Sequence, residues 1–190
     1  GSRNGQVNSF QGTIDWFKPA VWRTSNQVSA QYIIARAERP IVQMVRDEDT
    51  AWHAGISEWI INGVKRKNLN NRSIGIELQG DGNLVPYTDF QYEALIWLVK
   101  QKMLEFNVPI GLVRGHEEIS NRKVDPGTLF DWERLKRGIA STSIPVNGDL
   151  VDADGDGVIY LDETDDVQIP GGKDKSLVER IFGAIFSIFK

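Results

Sequence analysis

Apolar and polar residues alternate with helical and strand periods over the first 140 positions. Residues 9–17 carry apolar side chains on one helical face and predict a short helix before Pro19. The β-rich stretches 28–35 and 41–45 predict the two strands of a hairpin. The polar residues 53–72 then predict a long loop, and such loops in compact domains often carry function.

The second half of this region contains the clearest helix. Large apolar residues occupy every second position of 73–79 and predict a strand. Thr88 to Phe106 predict a helix, with a capping box of Thr88 and Gln91 at its first turn. The apolar stripe of this helix consists of Tyr92, Leu95, Ile96, Val99, Met103 and Leu104. Residues 110–114 predict the next strand.

This order of elements predicts an α/β fold with a central mixed β-sheet flanked by helices. A polar loop over 116–127 and a helix starting at Asp131 complete the region 1–140, which we take as one domain. The Ser, Thr, Pro, Asn and Gly residues of 141–150 predict a linker. Residues 151–174 and 175–190 then form a small appendage.

Composition places the chain among average soluble globular proteins, with 41% hydrophobic and 25% charged residues in 190 positions. Because there is no cysteine, disulfides, thiol nucleophiles and thiolate zinc sites are excluded. The net charge of −4 argues against a nucleic-acid partner. The charge is uneven, because residues 149–174 hold nine acidic residues and one lysine, so that the rest of the chain is weakly basic.

The acidic segment contains a calcium-loop pattern. Residues 152–163 read DADGDGVIYLDE, which matches the twelve-residue EF-hand loop with a glycine at its sixth position. Calcium prefers six to eight oxygen ligands, and this spacing turns alternate carboxylates inward. The predicted ligands of one calcium ion are Asp152, Asp154, Asp156, Val158 through its carbonyl, Tyr160 and Glu163. An acidic, solvated loop is the alternative.

A second set of chemically capable residues is dispersed along the chain. His116 and Asp125 have the residue types of a hydrolytic zinc site, which uses three protein ligands and an open water position. Glu77, on the polar side of its strand, could act as a general base, and Lys123 could stabilise an oxyanion. Spacing alone leaves open a surface histidine beside ion-paired Glu and Lys side chains.

Five sequence blocks together resemble the N-acetylmuramoyl-L-alanine amidases of the amidase_2 and peptidoglycan-recognition-protein superfamily. The blocks are AWHAG (51–55), NRSIGIEL (71–78), YTDFQYEAL (87–95), RGHEEISNRKVDPG (114–127) and LFDWERL (129–135). The resemblance covers about residues 5 to 140 in order and is most specific in the last part of the fourth block. SAQY (29–32) matches another strand of the family, with Gln31 where a histidine is common.

The resemblance implies an enzyme that uses one zinc ion to cut the amide between N-acetylmuramic acid and the L-alanine of the stem peptide. It implies His116 and Asp125 as zinc ligands, Glu77 as the carboxylate that activates water, and Lys123 as the oxyanion stabiliser. The residues it implies for the substrate groove are Trp52, His53, Ala54, Asn71 and Arg72. Peptidoglycan is the implied partner, and an extracytoplasmic location follows from where that polymer lies.

One departure concerns the first zinc ligand. The family takes it from a histidine at the end of an N-terminal strand, but this sequence has no histidine before His53, and its first strand is missing. Either an upstream segment supplies the strand and the third zinc ligand, or the chain is a variant that binds peptidoglycan without cutting it. A structural role in a phage or injection-type particle is a further alternative.

The C-terminal residues 176–189 are strongly apolar, with charged or small residues at four positions. This pattern predicts an amphipathic helix over 175–190 that is too short to span a bilayer, which needs about 20 residues. The helix could pack on the body of the protein, lie on a membrane surface or dock on a partner protein.

Overall fold

The computed structural model describes residues 10–17, 28–37, 41–61, 63–141, 150–152, 158–159 and 186–189. Within these ranges the helices are α1 (Phe10–Phe17), α2 (Asp89–Phe106), α3 (His116–Ile119) and α4 (Trp132–Ala140). The strands are β1 (Tyr32–Ile34), β2 (Ile41–Gln43), β3 (Glu58–Ile61), β4 (Val64–Lys67), β5 (Ile74–Leu78), β6 (Val113–Gly115), β7 (Leu150–Asp152), β8 (Val158–Ile159) and β9 (Phe186–Phe189). Short 3-10 turns cover Leu69–Arg72 and Ile110–Leu112.

Seven of these strands form one mixed sheet in the order β6-β9-β5-β1-β2-β7-β8. β1 pairs antiparallel with β2 and parallel with β5, and β9 runs parallel between β5 and β6. Helices α2 and α4 pack on one face of the sheet, and α1 packs on the other face against Ile33. The predicted α/β fold with a helix-flanked mixed sheet is therefore confirmed.

Strand β5 is buried on both faces. The apolar residues Ile74, Ile76 and Leu78 face the core with α2, as their alternation predicted. Gly75 and Glu77 point to the other face and are buried as well. A parallel strand in the middle of a sheet is covered on both sides, so its polar face does not reach solvent. This face carries the candidate site.

Helix α2 follows the predicted boundaries closely. The Thr88 side chain accepts a hydrogen bond from Gln91 N and the Gln91 side chain accepts one from Thr88 N, which is the predicted capping box. The apolar stripe is wrong at one position, because Leu104 is 73% exposed. None of the helices in the described ranges has both the length and the apolar character that a membrane crossing requires.

Three local predictions are wrong. The polar loop predicted over 116–127 begins with the helix α3. The stretch predicted as a long loop over 53–72 contains the antiparallel hairpin β3–β4 and a 3-10 turn. Strand β4 is exposed along its whole length, so it lacks the alternation by which a half-buried strand is recognised. The strand predicted over 110–114 begins only at Val113, because residues 110–112 form a 3-10 turn.

The residues after 149 add three strands to the main sheet. β7 pairs in parallel with β2 and antiparallel with β8, at the edge of the sheet. Of the predicted calcium ligands, the backbone of Asp152 and Val158 lies in these two strands, whereas Asp154, Asp156, Tyr160 and Glu163 lie outside the described residues.

The predicted C-terminal helix is wrong over residues 186–189, which form β9, and its remaining part lies outside the described residues. A short apolar run with β-branched and aromatic residues is compatible with a helix or a strand. Here it pairs with β5 and β6 and therefore forms a strand.

Candidate active site

The site lies at the carboxyl ends of the parallel strands β5 and β6, an edge where open α/β sheets commonly bind ligands. Glu77 is the fourth residue of β5, and His116 follows β6 directly. In register, Glu77 is opposite Phe189 of β9, and Gly115 is opposite Ile188. Glu77 and His116 thus stand at the same level, two strand spacings or about 10 Å apart along the sheet.

His116 is buried where β6 passes into α3, and each of its ring nitrogens faces an acceptor. Nδ1 lies 2.8 Å from Oδ2 of Asp125, and Nε2 lies 3.2 Å from the carbonyl oxygen of Ala54. A neutral imidazole carries one N–H and can donate to only one of these two acceptors. Either Nδ1–H donates to Asp125, or Nε2–H donates to the Ala54 carbonyl and leaves the lone pair of Nδ1 facing Asp125.

The second possibility fits the donor chemistry of a metal site. If Nε2–H donates to the Ala54 carbonyl, the lone pair of Nδ1 points towards Asp125, and a backbone carbonyl in this position is a common partner of a metal-bound histidine. His116 and Asp125 thus suit a zinc ion as two protein ligands. No group of three or more His, Cys, Asp and Glu residues suited to a metal occurs within the described part of the chain.

The loop that carries Asp125 is fixed by backbone contacts on both sides. The Asp125 carbonyl accepts a hydrogen bond from Glu117 N at 3.0 Å, and the Tyr87 hydroxyl donates to the Pro126 carbonyl at 3.0 Å. Gly127 has φ +97° and lies so close to the turn at Gly82 that a Cβ atom would meet backbone atoms there. The Asp-Pro-Gly sequence is thus explained by a tight backbone approach that holds the carboxylate beside His116.

The segment 51–55 forms the wall next to His116. Ala54 N donates to Oδ1 of Asn70 at 2.7 Å while its carbonyl faces His116, so this residue links the turn before β5 to the histidine. Trp52 N donates to Oγ of Ser29 at 2.8 Å, and the Trp52 side chain is 53% exposed. An exposed indole on a fixed backbone is suited to contact a sugar or peptide.

His53 is buried behind this wall. Its Nε2 lies 2.8 Å from Oγ of Ser73, which itself donates to the carbonyl of Leu69 at 2.6 Å. Burial and, to a smaller extent, the nearby His116 lower the pKa of His53 to about 3. His53 is therefore neutral at ordinary pH and packs the wall from behind.

The other predicted residues differ in exposure. Glu77 is fully buried, whereas Lys123 is exposed on the loop between His116 and Asp125. Its ammonium has no carboxylate within 4 Å among the described residues, so it is available to an anion. Asn71 is exposed and Arg72 is half-buried.

Three polar residues of the site were missed by sequence reasoning as structural contributors: Gln31, Asn70 and Ser73. Gln31 Oε1 accepts a hydrogen bond from Gly75 N at 2.7 Å and its Nε2 donates to the Asp49 carbonyl at 3.2 Å, so it ties β5 to the segment before the wall. All three are buried; Gln31 and Ser73 lie inside the motif blocks SAQY and NRSIGIEL, and Asn70 directly precedes the second block.

A cavity of about 710 Å³ lies beside α3, between it and the β3–β4 hairpin. Its lining includes Trp59, Lys65, Glu117 and Arg122. Burial, followed by the nearby carboxylates of Glu118 and Asp125, raises the pKa of Glu117 to about 7. Because Glu117 is next to His116 in sequence, this cavity adjoins the site and offers room for an extended ligand.

Comparisons with known proteins show similarity to one enzyme family. The family model Amidase_2, N-acetylmuramoyl-L-alanine amidase, matches residues 5–128. The 1,6-anhydro-N-acetylmuramyl-L-alanine amidase AmpD of Enterobacter cloacae is 34% identical over 136 residues, 70% of this chain and 70% of that protein. AmpD of Haemophilus influenzae is 44% identical over 110 residues, and the match covers 57% of this chain and 56% of that protein.

Solved structures show the same likeness. The complex of the amidase AmiD from Escherichia coli with anhydro-N-acetylmuramic acid-L-Ala-D-γ-Glu-L-Lys superposes with a TM-score of 0.55 at 35% identity. That match covers 60% of this chain and 49% of the AmiD chain. The chain thus spans about half the length of some of the relatives it matches.

Proposed function

Because this chain belongs to the Amidase_2 family of N-acetylmuramoyl-L-alanine amidases, we propose that it hydrolyses the amide between the lactyl group of N-acetylmuramic acid and L-alanine. Water adds to the lactyl carbonyl carbon, the carbon–nitrogen bond breaks, and the alanine nitrogen takes up a proton. The products are a muramic acid carboxylate and a stem peptide with a free amino terminus. The observation that carries the proposal is the buried contact of His116 with Asp125, level with Glu77 across the sheet.

The roles of the chain's own residues follow from their environments. Glu77, a buried carboxylate at the end of β5, takes the proton of the attacking water and passes it to the leaving nitrogen. Lys123 is exposed beside the same edge, so its ammonium can compensate the negative charge that develops on the carbonyl oxygen. Trp52 and Asn71, both exposed, are placed to contact the muropeptide.

We propose zinc as the cofactor, held by His116 and Asp125 together with a third ligand from outside the described residues. Zinc at such a site polarises the carbonyl and lowers the pKa of a bound water. The support is the contact between the two metal-ligating side chains, His116 and Asp125, and the Ala54 carbonyl, which can accept a hydrogen bond from Nε2–H of His116. Removal of metal by a chelator should lower the melting temperature, and zinc should restore it. Asp125→Asn should lose this response, whereas Glu133→Gln, at an exposed position, should keep it.

Digestion of purified muropeptides by the full chain tests the activity. We expect release of free stem peptides, measured by chromatography and mass spectrometry, and a loss of about 100-fold or more in kcat for Glu77→Gln. Glu93→Gln, an exposed carboxylate on α2, is the matched control and should cleave at the rate of the unmutated chain. Binding of muropeptides without any release by the unmutated chain would refute the enzyme and favour a peptidoglycan-binding module.

We also propose one calcium ion in the loop 152–163. The support is the spacing of its acidic residues and the position of Asp152 and Val158 in neighbouring strands at the sheet edge. Calcium should raise the melting temperature of the unmutated chain, and Asp152→Ala should abolish the rise. Magnesium at the same concentration should have a smaller effect, because it prefers a rigid octahedral shell. A calcium response that persists in Asp152→Ala would assign it to another site.

The place of action follows from the substrate. Peptidoglycan lies outside the cytoplasmic membrane, so we propose an extracytoplasmic location, in the periplasm, the cell envelope or a secreted particle. Fractionation of cells that express the protein from its natural gene tests this, and recovery with cytoplasmic markers only would contradict it.

A further inference from the structure

The connection between β5 and α2, residues 79–88, lies against the loop between α3 and α4, residues 120–131, which carries Asp125. We call these segments the β5–α2 loop and the Asp125 loop. The Gly82 carbonyl accepts a hydrogen bond from Leu129 N at 2.8 Å. A Cβ atom at Gly82 would meet backbone atoms of the Asp125 loop, so the two backbones are in direct contact.

The β5–α2 loop is fixed at both of its ends. It starts at Gln79, which follows the strand of Glu77. Gln79 N donates to the Ile34 carbonyl at 2.9 Å, and the Gln79 carbonyl accepts a hydrogen bond from Nε2 of the buried Gln91 at 2.9 Å. The loop ends at Thr88, the N-cap of α2. Because both ends are fixed, this loop can restrain a second loop that packs on it.

Tyr87 is the buried side chain of the β5–α2 loop that reaches the Asp125 loop. Its hydroxyl donates to the carbonyl of Pro126, the residue after Asp125, at 3.0 Å. Burial and then the Glu77 carboxylate raise the pKa of Tyr87, while a backbone hydrogen bond of Gly82 opposes this shift. The hydroxyl therefore keeps its proton at ordinary pH and remains a donor to the Asp125 loop.

The backbone around Asp125 is thus held from two directions. Glu117 N donates to the Asp125 carbonyl at 3.0 Å, and Glu117 directly follows His116 in sequence. Tyr87 holds the next peptide group from the side of β5. The Asp125 carboxylate lies 2.8 Å from the imidazole, and a ligand pair of this kind has to be held to within about 0.5 Å of its working geometry.

We propose that Tyr87 is a positioning residue of the candidate site, whose hydrogen bond to the Asp125 loop holds that carboxylate beside His116. It acts through the backbone of the loop. The effect on zinc binding and cleavage rests on the proposed function, whereas the restraint on the loop is a property of the fold. Groups that orient metal ligands from outside typically change metal affinity by about 10–100-fold, so we expect about tenfold weaker zinc binding without the hydroxyl.

Tyr92 supplies a matched control. Its ring packs on Phe130 with the ring centroids 5.3 Å apart, and the ring of Tyr87 packs on the same side chain at 5.7 Å. The Tyr92 hydroxyl accepts a hydrogen bond from Asp131 N at 2.6 Å, away from Asp125. Tyr87→Phe and Tyr92→Phe each remove one hydroxyl that bonds to the Asp125 loop. Both variants keep the packing on Phe130 and should fold.

Hydrogen exchange of the metal-free protein tests the restraint. In Tyr87→Phe the amides of Glu117 and Leu129, which bond to the carbonyls of Asp125 and Gly82, should exchange at least about tenfold faster. In Tyr92→Phe these two amides should keep their protection. The amides of β1 serve as the reference for global stability. Unchanged protection of both amides in Tyr87→Phe would overturn the proposal.

Zinc affinity, measured by competition with a chelator, tests the consequence for the site. Tyr87→Phe should bind zinc about tenfold more weakly than the unmutated chain, whereas Tyr92→Phe should bind it equally well. A general loss of stability would weaken binding in both variants, so the difference between them isolates the position of Asp125. Equal zinc affinities in the two variants would refute the positioning role.

Activity separates this proposal from the proposed function. If the unmutated chain cleaves muropeptides, Tyr87→Phe should lose cleavage at limiting zinc and regain it when zinc is in excess, because the reacting groups themselves are unchanged. Failure of the unmutated chain to bind zinc or to cleave would refute the proposed cofactor or activity, while faster exchange in Tyr87→Phe alone would still support the restraint. Full cleavage by Tyr87→Phe at limiting zinc would refute the positioning role.

Discussion

The two histidines of the chain are both buried, yet their surroundings give them different chemistry. His116 faces the Asp125 carboxylate and the Ala54 carbonyl, which are the surroundings of a candidate metal ligand. His53 faces the hydroxyl of Ser73, whose proton is already donated to the Leu69 carbonyl. His53 therefore favours a neutral ring, and its role is to support the wall in front of it.

The low pKa of His53 leads to a prediction about stability and pH. The folded-state pKa of about 3 lies below the ordinary value of 6.5, so the stabilisation is complete above pH 6.5 and is lost as the pH falls from about 6.5 to about 3. Between pH 7 and pH 5 the free energy of unfolding should fall by about 2 kcal/mol through this group. His53→Gln lacks the titrating ring, and urea denaturation should show a smaller pH dependence for it over this window. If the free energy of unfolding of His53→Gln changed with pH as steeply as that of the unmutated chain, His53 would not be the titrating group.

Gly75 carries a prediction about packing. A Cβ atom at this position would lie 2.7 Å from Cβ of His53, closer than such atoms approach, so Gly75→Ala must displace the histidine. We expect a loss of about 1–3 kcal/mol in the free energy of unfolding, measured by urea denaturation. Gly111→Ala is the control, because a Cβ atom there has no atom within 4 Å. Equal free energies of unfolding for Gly75→Ala and Gly111→Ala would show that the contact with His53 does not limit position 75.

The residues of the site divide by how far sequence could identify them. Glu77, His116, Lys123 and Asp125 belong to motif blocks with specified chemistry, and the structure brings Asp125 to within 2.8 Å of His116. Gln31, Asn70 and Ser73 were not identified because they act through hydrogen bonds to backbone groups or to a histidine, and these partners are set by the fold. Short polar side chains form such bonds in many contexts.

Helix α2 shows how local sequence signals can fix an element. Thr88 Oγ1 accepts from Gln91 N at 3.2 Å and donates to the Arg36 carbonyl at 3.0 Å, so the cap also ties the helix to the turn after β1. Thr88→Ala should cost about 1–2 kcal/mol of unfolding free energy, because both contacts are lost. Thr88→Ser keeps the hydroxyl and should lose clearly less unfolding free energy. Urea denaturation of both variants measures the difference. Similar losses in the two variants would show that the methyl group, and not the cap, matters.

Elements with non-local causes were harder to predict. β5 and α2 were predicted to within one residue of their observed boundaries, because their periodicity and capping residues are local signals. β1 and β2 lie inside the longer strands predicted over 28–35 and 41–45. β4 was missed because it is exposed along its whole length and has no buried face to impose alternation. β3 was missed because it has only four residues, of which Trp59 and Ile61 face inward. β9 was predicted as a helix because pattern alone does not specify its pairing partners, which lie more than 70 residues away in sequence.

A largely buried ion pair joins helix α2 to the β1–β2 hairpin and the segment after it. Lys102 Nζ on α2 lies 2.6 Å from Oδ2 of Asp47 after β2, and the Tyr32 hydroxyl of β1 donates to the same oxygen at 2.9 Å. Burial alone would lower the pKa of Lys102, but Asp47 and the hydrogen bonds of Asp47 and Glu105 outweigh it and raise the pKa. Burial raises the pKa of Asp47 although Lys102 opposes this shift. The ion pair thus fixes helix α2 against the β1–β2 hairpin, although two charges lose their hydration.

Removing the cation should therefore destabilise the whole fold more than an exposed ion pair does. In Lys102→Met the Asp47 carboxylate stays buried without its partner, and we expect a loss of about 3–5 kcal/mol at pH 7. Lys136→Met, which removes an exposed pair with Glu133, should cost less than about 1 kcal/mol. The loss of Lys102 should raise the pKa of Asp47 further. A neutral Asp47 is tolerated in its buried position, so the folded protein is stabilised at low pH and loses this stabilisation as the pH rises through the raised pKa. The deficit of Lys102→Met relative to the unmutated chain, measured by urea denaturation, should consequently be smaller at pH 4 than at pH 7. A deficit that is the same at both pH values would mean that Asp47 does not bear the unpaired charge.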